Sequence, residues 1–169
     1  MRYTGPMATP MLHSFTPLVA PGARVLILGN MPGVRSLQDQ QYYAHPRNAF
    51  WPITAELYGF DAAAPYPERV AALTGAGVAV WDVLRSCRRV GSLDAAVEPD
   101  SMAANDFGAF FADHPTVTRI CFNGAAAEKN YRRLVALPHP PGLRLPSTSP
   151  AHTAAYPVKL AAWRSALTY

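Results

Sequence analysis

Three short segments concentrate residue types that pack poorly and bind or react well. GNMPG (29–33) follows an apolar run, and HPRN (45–48) lies just ahead of an aromatic-led helix. PSTSPAH (146–152) sets Ser147, Thr148 and Ser149 between two prolines and ends in His152. Gly29, Pro32 and Gly33 suit a tight strand-to-helix turn. The same turn can aim backbone N–H groups at a base or a phosphate. Asn48 fits two roles, which are not exclusive: a cap for the helix starting near Phe50, or an amide that holds a water. An amide is no strong base. The chemistry it suits is one where the leaving group is already departing and a weakly activated water suffices. The hydroxyls of the third segment either donate to nucleic-acid phosphates or cap one another. Arg47 is read as phosphate-facing or as a solvated surface residue.

Apolar periodicity indicates the elements that position these groups. Residues 25–28 predict a central parallel strand buried on both faces. Phe50, Ile53 and Leu57 recur at helical spacing, with Pro52 tolerated in a first turn. Residues 66–73 predict a second helix, punctuated by Gly75 and Gly77. Residues 78–84 predict a strand running into a polar loop at 86–92. Next come a helix over 105–111 with Asn105 as N-cap, a strand over 118–122 closed by Asn123-Gly124, and a helix over 125–135. A Pro-rich turn at 139–142 leads into a short strand over 143–145. Pro157 then opens a last helix with Leu160, Trp163 and Leu167 on one face. Strands alternating with helices imply the α/β class: a three-layer α/β/α sandwich around a mostly parallel four-stranded sheet. Residues 1–22 read as an irregular lead-in and 23–169 as a single domain. Such sheets bind ligands beyond the carboxyl ends of their strands. Those ends are 29–33, 82–87, 123–124 and 147–152, so the unusual residues should meet in one crevice.

The bulk numbers set bounds. A chain of 169 residues, 50% hydrophobic, can bury a core without disulfide or metal support. Charged residues are 15%, below the roughly 25% of average soluble domains. Net charge is 15 − 11 = +4, and Lys occurs only at 129 and 159, so the basic charge is nearly all Arg. This is compatible with an acidic polymer as partner without demanding one. Cys87 and Cys121 lie in apolar contexts and read as buried free thiols of a reducing cytoplasm. Two cysteines are too few for an iron–sulfur cluster and show no zinc-ligand spacing. No apolar run reaches the 18 residues of a membrane span, and residues 1–15 lack the apolar stretch of a signal peptide.

These motifs resemble the uracil-DNA glycosylase superfamily. GNMPG is similar to its first motif, a Gly-x-(Asn/Asp/other)-Pro-Gly turn. YAHPRNAFW (43–51) resembles the FAHPxNxFW stretch of the mismatch-specific branch, and LPSTSPAH (145–152) the second motif in its Ser-rich form. VAVWDVLRSC, GSLDAAV and FNGAAAEKNY are most similar to bacterial and archaeal hypoxanthine-DNA, or deoxyinosine, glycosylases. The similarity extends over roughly residues 12–167.

The resemblance implies a monofunctional, cytoplasmic repair glycosylase working as a monomer on DNA that carries a deaminated base. It implies no metal, no organic cofactor and no membrane. Hypoxanthine is the expected target. Uracil or a mismatched base is the alternative, and a catalytically silent DNA-binding relative is a third reading. The mismatch-specific branch keeps a water-orienting Asn at the third position of the first motif. Met31 stands there instead, which passes the task to Asn48. Gly29, Met31, Pro32 and Gly33 would line the base. Tyr43 takes the place of an aromatic that stacks on the flipped base, unless it is ordinary packing. Tyr42 reads as structural or rim. Hypoxanthine presents an N1–H donor and an O6 acceptor. Asp82 would accept the first, or else cap a turn or pair with Arg85. Asn123 would read O6, or merely close its strand. Arg47, Ser147, Thr148 and Ser149 would face the DNA backbone. His152 would touch a phosphate or the leaving base and joins Asn48 as a catalytic candidate. No Lys falls in the motifs, so a Schiff-base lyase step is not expected. No bulky wedge is evident.

Overall fold

In chain order the strands and helices are β1 (Met11–His13), β2 (Val25–Gly29), α1 (Val34–Asp39), α2 (Phe50–Tyr58), α3 (Tyr66–Gly75) and β3 (Val78–Asp82). They continue with β4 (Leu84–Arg88), β5 (Ala103–Ala104), α4 (Phe107–Asp113), β6 (Arg119–Asn123), α5 (Ala125–Leu134), β7 (Gly142–Leu145) and α6 (Tyr156–Leu167). The structure is a computed structural model that describes residues 9–136 and 140–168. Four strands make one sheet in the order β3-β2-β6-β7, every neighbouring pair parallel. All five residues of β2 and of β3 are buried, as expected where helices cover both faces.

Strand alternation divides the core between those faces. Leu26 and Leu28 pack with Phe107, Phe110 and Tyr131 from α4 and α5. Val25 and Ile27 face the other way, onto Phe50, Ile53, Leu73 and Trp163 from α2, α3 and α6. The three-layer sandwich with its parallel four-stranded sheet is therefore observed as expected.

Several local expectations are corrected. Residues 78–84 do not form one strand. Val83 and Leu84 donate their N–H groups to the carbonyls of Gly29 and Asn30, which turns the chain out of the first sheet. Residues 84–88 then run as β4 in a second, antiparallel sheet ordered β1-β4-β5, so the loop placed at 86–92 begins later. Part of the lead-in is also ordered: residues 11–13 pair with β4, and Leu18 bridges to Val80. The cap of α4 is Asp106, whose carboxylate accepts from the Ala109 N–H at 3.0 Å. Asn105 instead donates to the Asp82 carbonyl at 2.7 Å, tying β5 to the end of β3. A short helix, α1, lies where the sequence suggested only loop, because its six residues carry no long apolar stripe. Residues 1–8 of the lead-in and 139 of the Pro-rich turn lie outside the described residues.

Trp163 couples this scaffold to the Ser-rich loop. Its ring is fully buried, 6.0 Å from Phe50 in an edge-on contact, and its indole N–H donates to the Pro146 carbonyl at 2.9 Å. Trp163→Phe leaves that carbonyl without its donor and opens a small void, a cost of about 1–3 kcal/mol. Denaturant unfolding measures it; an unchanged midpoint removes Trp163 from this role.

Candidate active site

The parallel register brings the strand ends together. Gly29 pairs with Asp82, Leu28 with Phe122, and Asn123 with Leu145. Beyond them lies a cavity of about 160 Å³, lined by Gly29, Met31, Pro32, Gly33, Tyr43, Asn48, Asp82, Asn123, Ser147, Thr148 and Ser149 among others. The convergence expected from the sequence is present. Arg47 and His152 do not line this cavity. Both are exposed, on a neighbouring one of about 360 Å³ that shares only Asn48 and Pro150 with the first.

Gly29 is required for closeness, not for backbone freedom. A Cβ there would lie 2.6 Å from Asp82 Oδ1 and 2.9 Å from the Tyr43 hydroxyl. The missing side chain therefore lets a carboxylate and a phenol meet at the strand end. Asp82 is 3% exposed, and its Oδ2 has no hydrogen-bond partner. Burial raises its pKa to about 7; the Asp94 charge pushes the same way and the Arg89 guanidinium pulls against both. Asp82 does not pair with Arg85. Its carboxylate is held by neither a cation nor a turn, which is unusual for a buried charge.

Asn123 is oriented by Thr148. Its Oδ1 accepts from the Thr148 N–H at 2.9 Å, and its Nδ2 donates to Thr148 Oγ1 at 3.0 Å. Reversing the amide would set donor against donor, so Nδ2 carries one further hydrogen, which lies toward the buried Tyr43 hydroxyl. The same pairing corrects the reading of Thr148 as a DNA-backbone contact. Thr148 is 1% exposed, and its carbonyl accepts from Ala49 N–H, so it binds the two loops to each other. Ser147 and Ser149 are half-buried, each hydroxyl oxygen accepting a backbone N–H two residues on.

Asn48 is not the N-cap of α2, a place held by Ala49; it precedes the cap and closes a turn into the helix. Oδ1 accepts from the Phe50 N–H at 2.9 Å at the head of α2, while the residue also lines the cavity. Tyr43 sits in the left-handed region at φ 54°, a conformation that costs a bulky residue energy and here occurs at the cavity wall. One ring face stacks on Phe50 at 4.1 Å. Its hydroxyl is buried beside Asp82 and Asn123 with no hydrogen bond of normal geometry, and burial followed by the Asp82 charge drives its pKa upward. Tyr42 is structural, its hydroxyl donating to the Thr16 carbonyl at 2.8 Å.

Three residues hold the site in ways the sequence did not signal. Arg89, 3% exposed, donates to the carbonyls of Pro32 at 2.7 Å and Gly91 at 2.6 Å and so braces the GNMPG turn. Asn30 donates to Asp94 at 3.0 Å and accepts from Asn130 at 2.8 Å. Lys159, outside the motifs in sequence, reaches the Ser149 carbonyl at 3.1 Å. Partners 64 and 100 residues from Asn30, or 57 from Arg89, leave no local pattern to find. Among the described residues, no group of three or more His, Cys, Asp or Glu side chains is arranged to hold a metal ion, and no helix is long and apolar enough to cross a membrane.

Comparison with known proteins places this geometry. Residues 16–167 match the Uracil DNA glycosylase superfamily. A Methanosarcina barkeri protein named Hypoxanthine DNA glycosylase is 31% identical over 113 residues, which is 66% of this chain and 70% of that one. A Methanosarcina acetivorans protein of the same name is 30% identical over 116 residues, 68% and 72% of the two chains. A solution NMR structure from M. acetivorans, of a protein proposed to be a uracil DNA glycosylase, superposes with a TM-score of 0.78 at 27% identity. The superposition covers 92% of this chain and 96% of that one.

Asp82 gives a pH signature. Its pKa in the folded protein, about 7, exceeds the ordinary 3.8, so the folded state holds the extra proton between those values. The contribution of Asp82 to stability is therefore fully present below pH about 4 and is lost as pH rises to about 7, by on the order of 4 kcal/mol. Asp82→Asn should remove that decline in urea titrations across pH; a variant with the same slope as wild type would mean Asp82 is not the titrating group.

Proposed function

Because the chain belongs to the uracil DNA glycosylase superfamily, we propose that its DNA glycosylase activity is directed at hypoxanthine in deoxyinosine, with residues 23–169 acting as one monomeric, cytoplasmic unit. The observation that carries this is a pair of groups lining one cavity: an acceptor, the Asp82 carboxylate at the end of β3, and a donor held in place by Thr148, the second Asn123 N–H at the end of β6. Hypoxanthine offers N1–H and O6 on one edge and matches both. Adenine offers N6–H and a bare N1, so it would set donor against donor and acceptor against acceptor. Deamination inverts that edge, and the pair reads the inversion. Uracil carries the same donor–acceptor order and is the second reading. The two relatives named for hypoxanthine favour the larger base.

The target lies inside a duplex and must rotate out, at a cost of a few kcal/mol that is smallest for a mispaired base. In the cavity the free face of Tyr43 stacks on the base, and the Gly29–Gly33 turn forms the floor. Arg47, His152, Ser147 and Ser149 lie against the backbone phosphates. The C1′–N9 bond breaks with its electron pair passing to the base, where the Asn123 donor on O6 helps carry the charge. Asn48 holds a water whose oxygen bonds to C1′, and the proton released goes to the departing base or to solvent. The Asn48 amide is already fixed by its bond to Phe50, so the water site is organised before substrate arrives.

Oligonucleotides with one hypoxanthine, uracil, xanthine or mismatched thymine, read as alkali-dependent breaks, test the assignment. Cleavage at inosine alone supports it, and cleavage at uracil alone selects the second reading. Asn48→Ala should lower the single-turnover rate about 100-fold or more with DNA binding largely kept. Asn48→Ser retains a helix-start acceptor and separates catalytic loss from unfolding. An Asn48→Ala rate equal to wild type would remove the amide from the chemistry. If the ionised carboxylate is the N1–H acceptor, excision of hypoxanthine rises as pH increases through about 7. Asp82→Asn should flatten that rise; a rise that persists would assign it elsewhere.

A further inference from the structure

Extruding a nucleotide leaves a hole in the base stack, and proteins that unstack DNA commonly fill such gaps with an apolar side chain. The Ser-rich loop on one side of the cavity has no such group, since 147–151 are Ser, Thr, Ser, Pro and Ala. The loop on the opposite rim, residues 89–94, does. Leu93 is 59% exposed, although a leucine in water gives up the burial that most leucines gain. Its neighbours on both sides, Ser92 and Asp94, line the cavity, so the exposed Leu93 is anchored next to it without being part of the lining.

The loop that carries it is unusually restrained for an exposed tip. Ser92 Oγ accepts from the Val34 N–H at 2.9 Å, and Asp94 Oδ1 accepts from Asn30 at 3.0 Å. The buried Arg89 ties the loop's base to Pro32 at 2.7 Å and to Gly91 at 2.6 Å. Three of these bonds reach the turn that forms the cavity floor or the residue after it. A flexible apolar tip would lose entropy on entering DNA, and a fixed one loses little. We infer that Leu93 is the wedge of this enzyme: it enters the duplex from the Arg89–Asp94 loop and occupies the space vacated by the flipped nucleotide. Val90, 75% exposed on the same loop, is farther from the mouth in sequence and has no cavity-lining neighbour.

This assignment rests on the base-excision reading, and its test separates the two. Leu93→Ala should slow single-turnover excision of hypoxanthine from a duplex about tenfold or more. It should leave excision from a single-stranded oligonucleotide unchanged, because no stack has to be opened there. Leu93→Met, apolar and of similar volume, should restore the duplex rate. A second readout needs no catalysis. A duplex carrying a tetrahydrofuran abasic analogue beside 2-aminopurine should change fluorescence on binding wild type, and this change should be lost with Leu93→Ala and kept with Leu93→Met. The inference is overturned if Leu93→Ala matches wild type on the duplex, if it slows both substrates equally, or if Val90→Ala takes the loss instead. A wild-type chain that gives the fluorescence change but excises no base overturns the hydrolytic reading and leaves the wedge standing.

Discussion

The parallel register of the central sheet is the constraint on which the site depends. It sets Gly29 beside Asp82 and ends β6 with Asn123 one strand away. Each of those residues would be ordinary in another register. Here the absent side chain of Gly29 admits a carboxylate and a phenol to the same few ångströms, and the carboxylate is left 3% exposed. A one-residue slip would turn all of these side chains to the opposite face. The helices packed on both sides specify the register by demanding the alternation of Leu26 and Leu28 against Val25 and Ile27.

Around that fixed edge, loops are held by bonds that cross the structure. Thr148 ties the Ser-rich loop to the end of β6 through Asn123 and to the start of α2 through Ala49. Arg89 and the Asn30–Asp94–Asn130 chain fasten the opposite wall. Such networks matter because a catalytic group must be held near its productive geometry before substrate binds. They are also costly to interrupt, since removing one partner leaves a buried group unsatisfied.

Asp82 shows the other side of this organisation. The protein keeps a carboxyl group where ionisation is unfavourable, and the ionised form is the one suited to accept a ring N–H. Stability and recognition thus respond to pH in opposite directions at one residue. Tyr43, held at positive φ against the same cavity, is a second local cost in the same place. Both fit the general tendency of strain and perturbed pKa values to gather at functional sites.

The layers and the meeting of GNMPG, HPRN and the Ser-rich segment were legible in the sequence, because apolar periodicity and turn residues act over a few neighbours. It also carried the family, through motifs whose order survives in the chain. The tertiary structure alone decided which polar groups are spent and which are free. Thr148 reads as a surface hydroxyl in its Ser-rich context and is buried against Asn123. The strand read over 78–84 breaks at Val83, because its N–H finds the Gly29 carbonyl 54 residues back. Asn105 looks like a cap and serves Asp82 instead, while Arg89 finds the Pro32 carbonyl 57 residues back. Hydrogen bonds and burial between residues far apart in the chain depend on where folding puts them, and no local pattern encodes that.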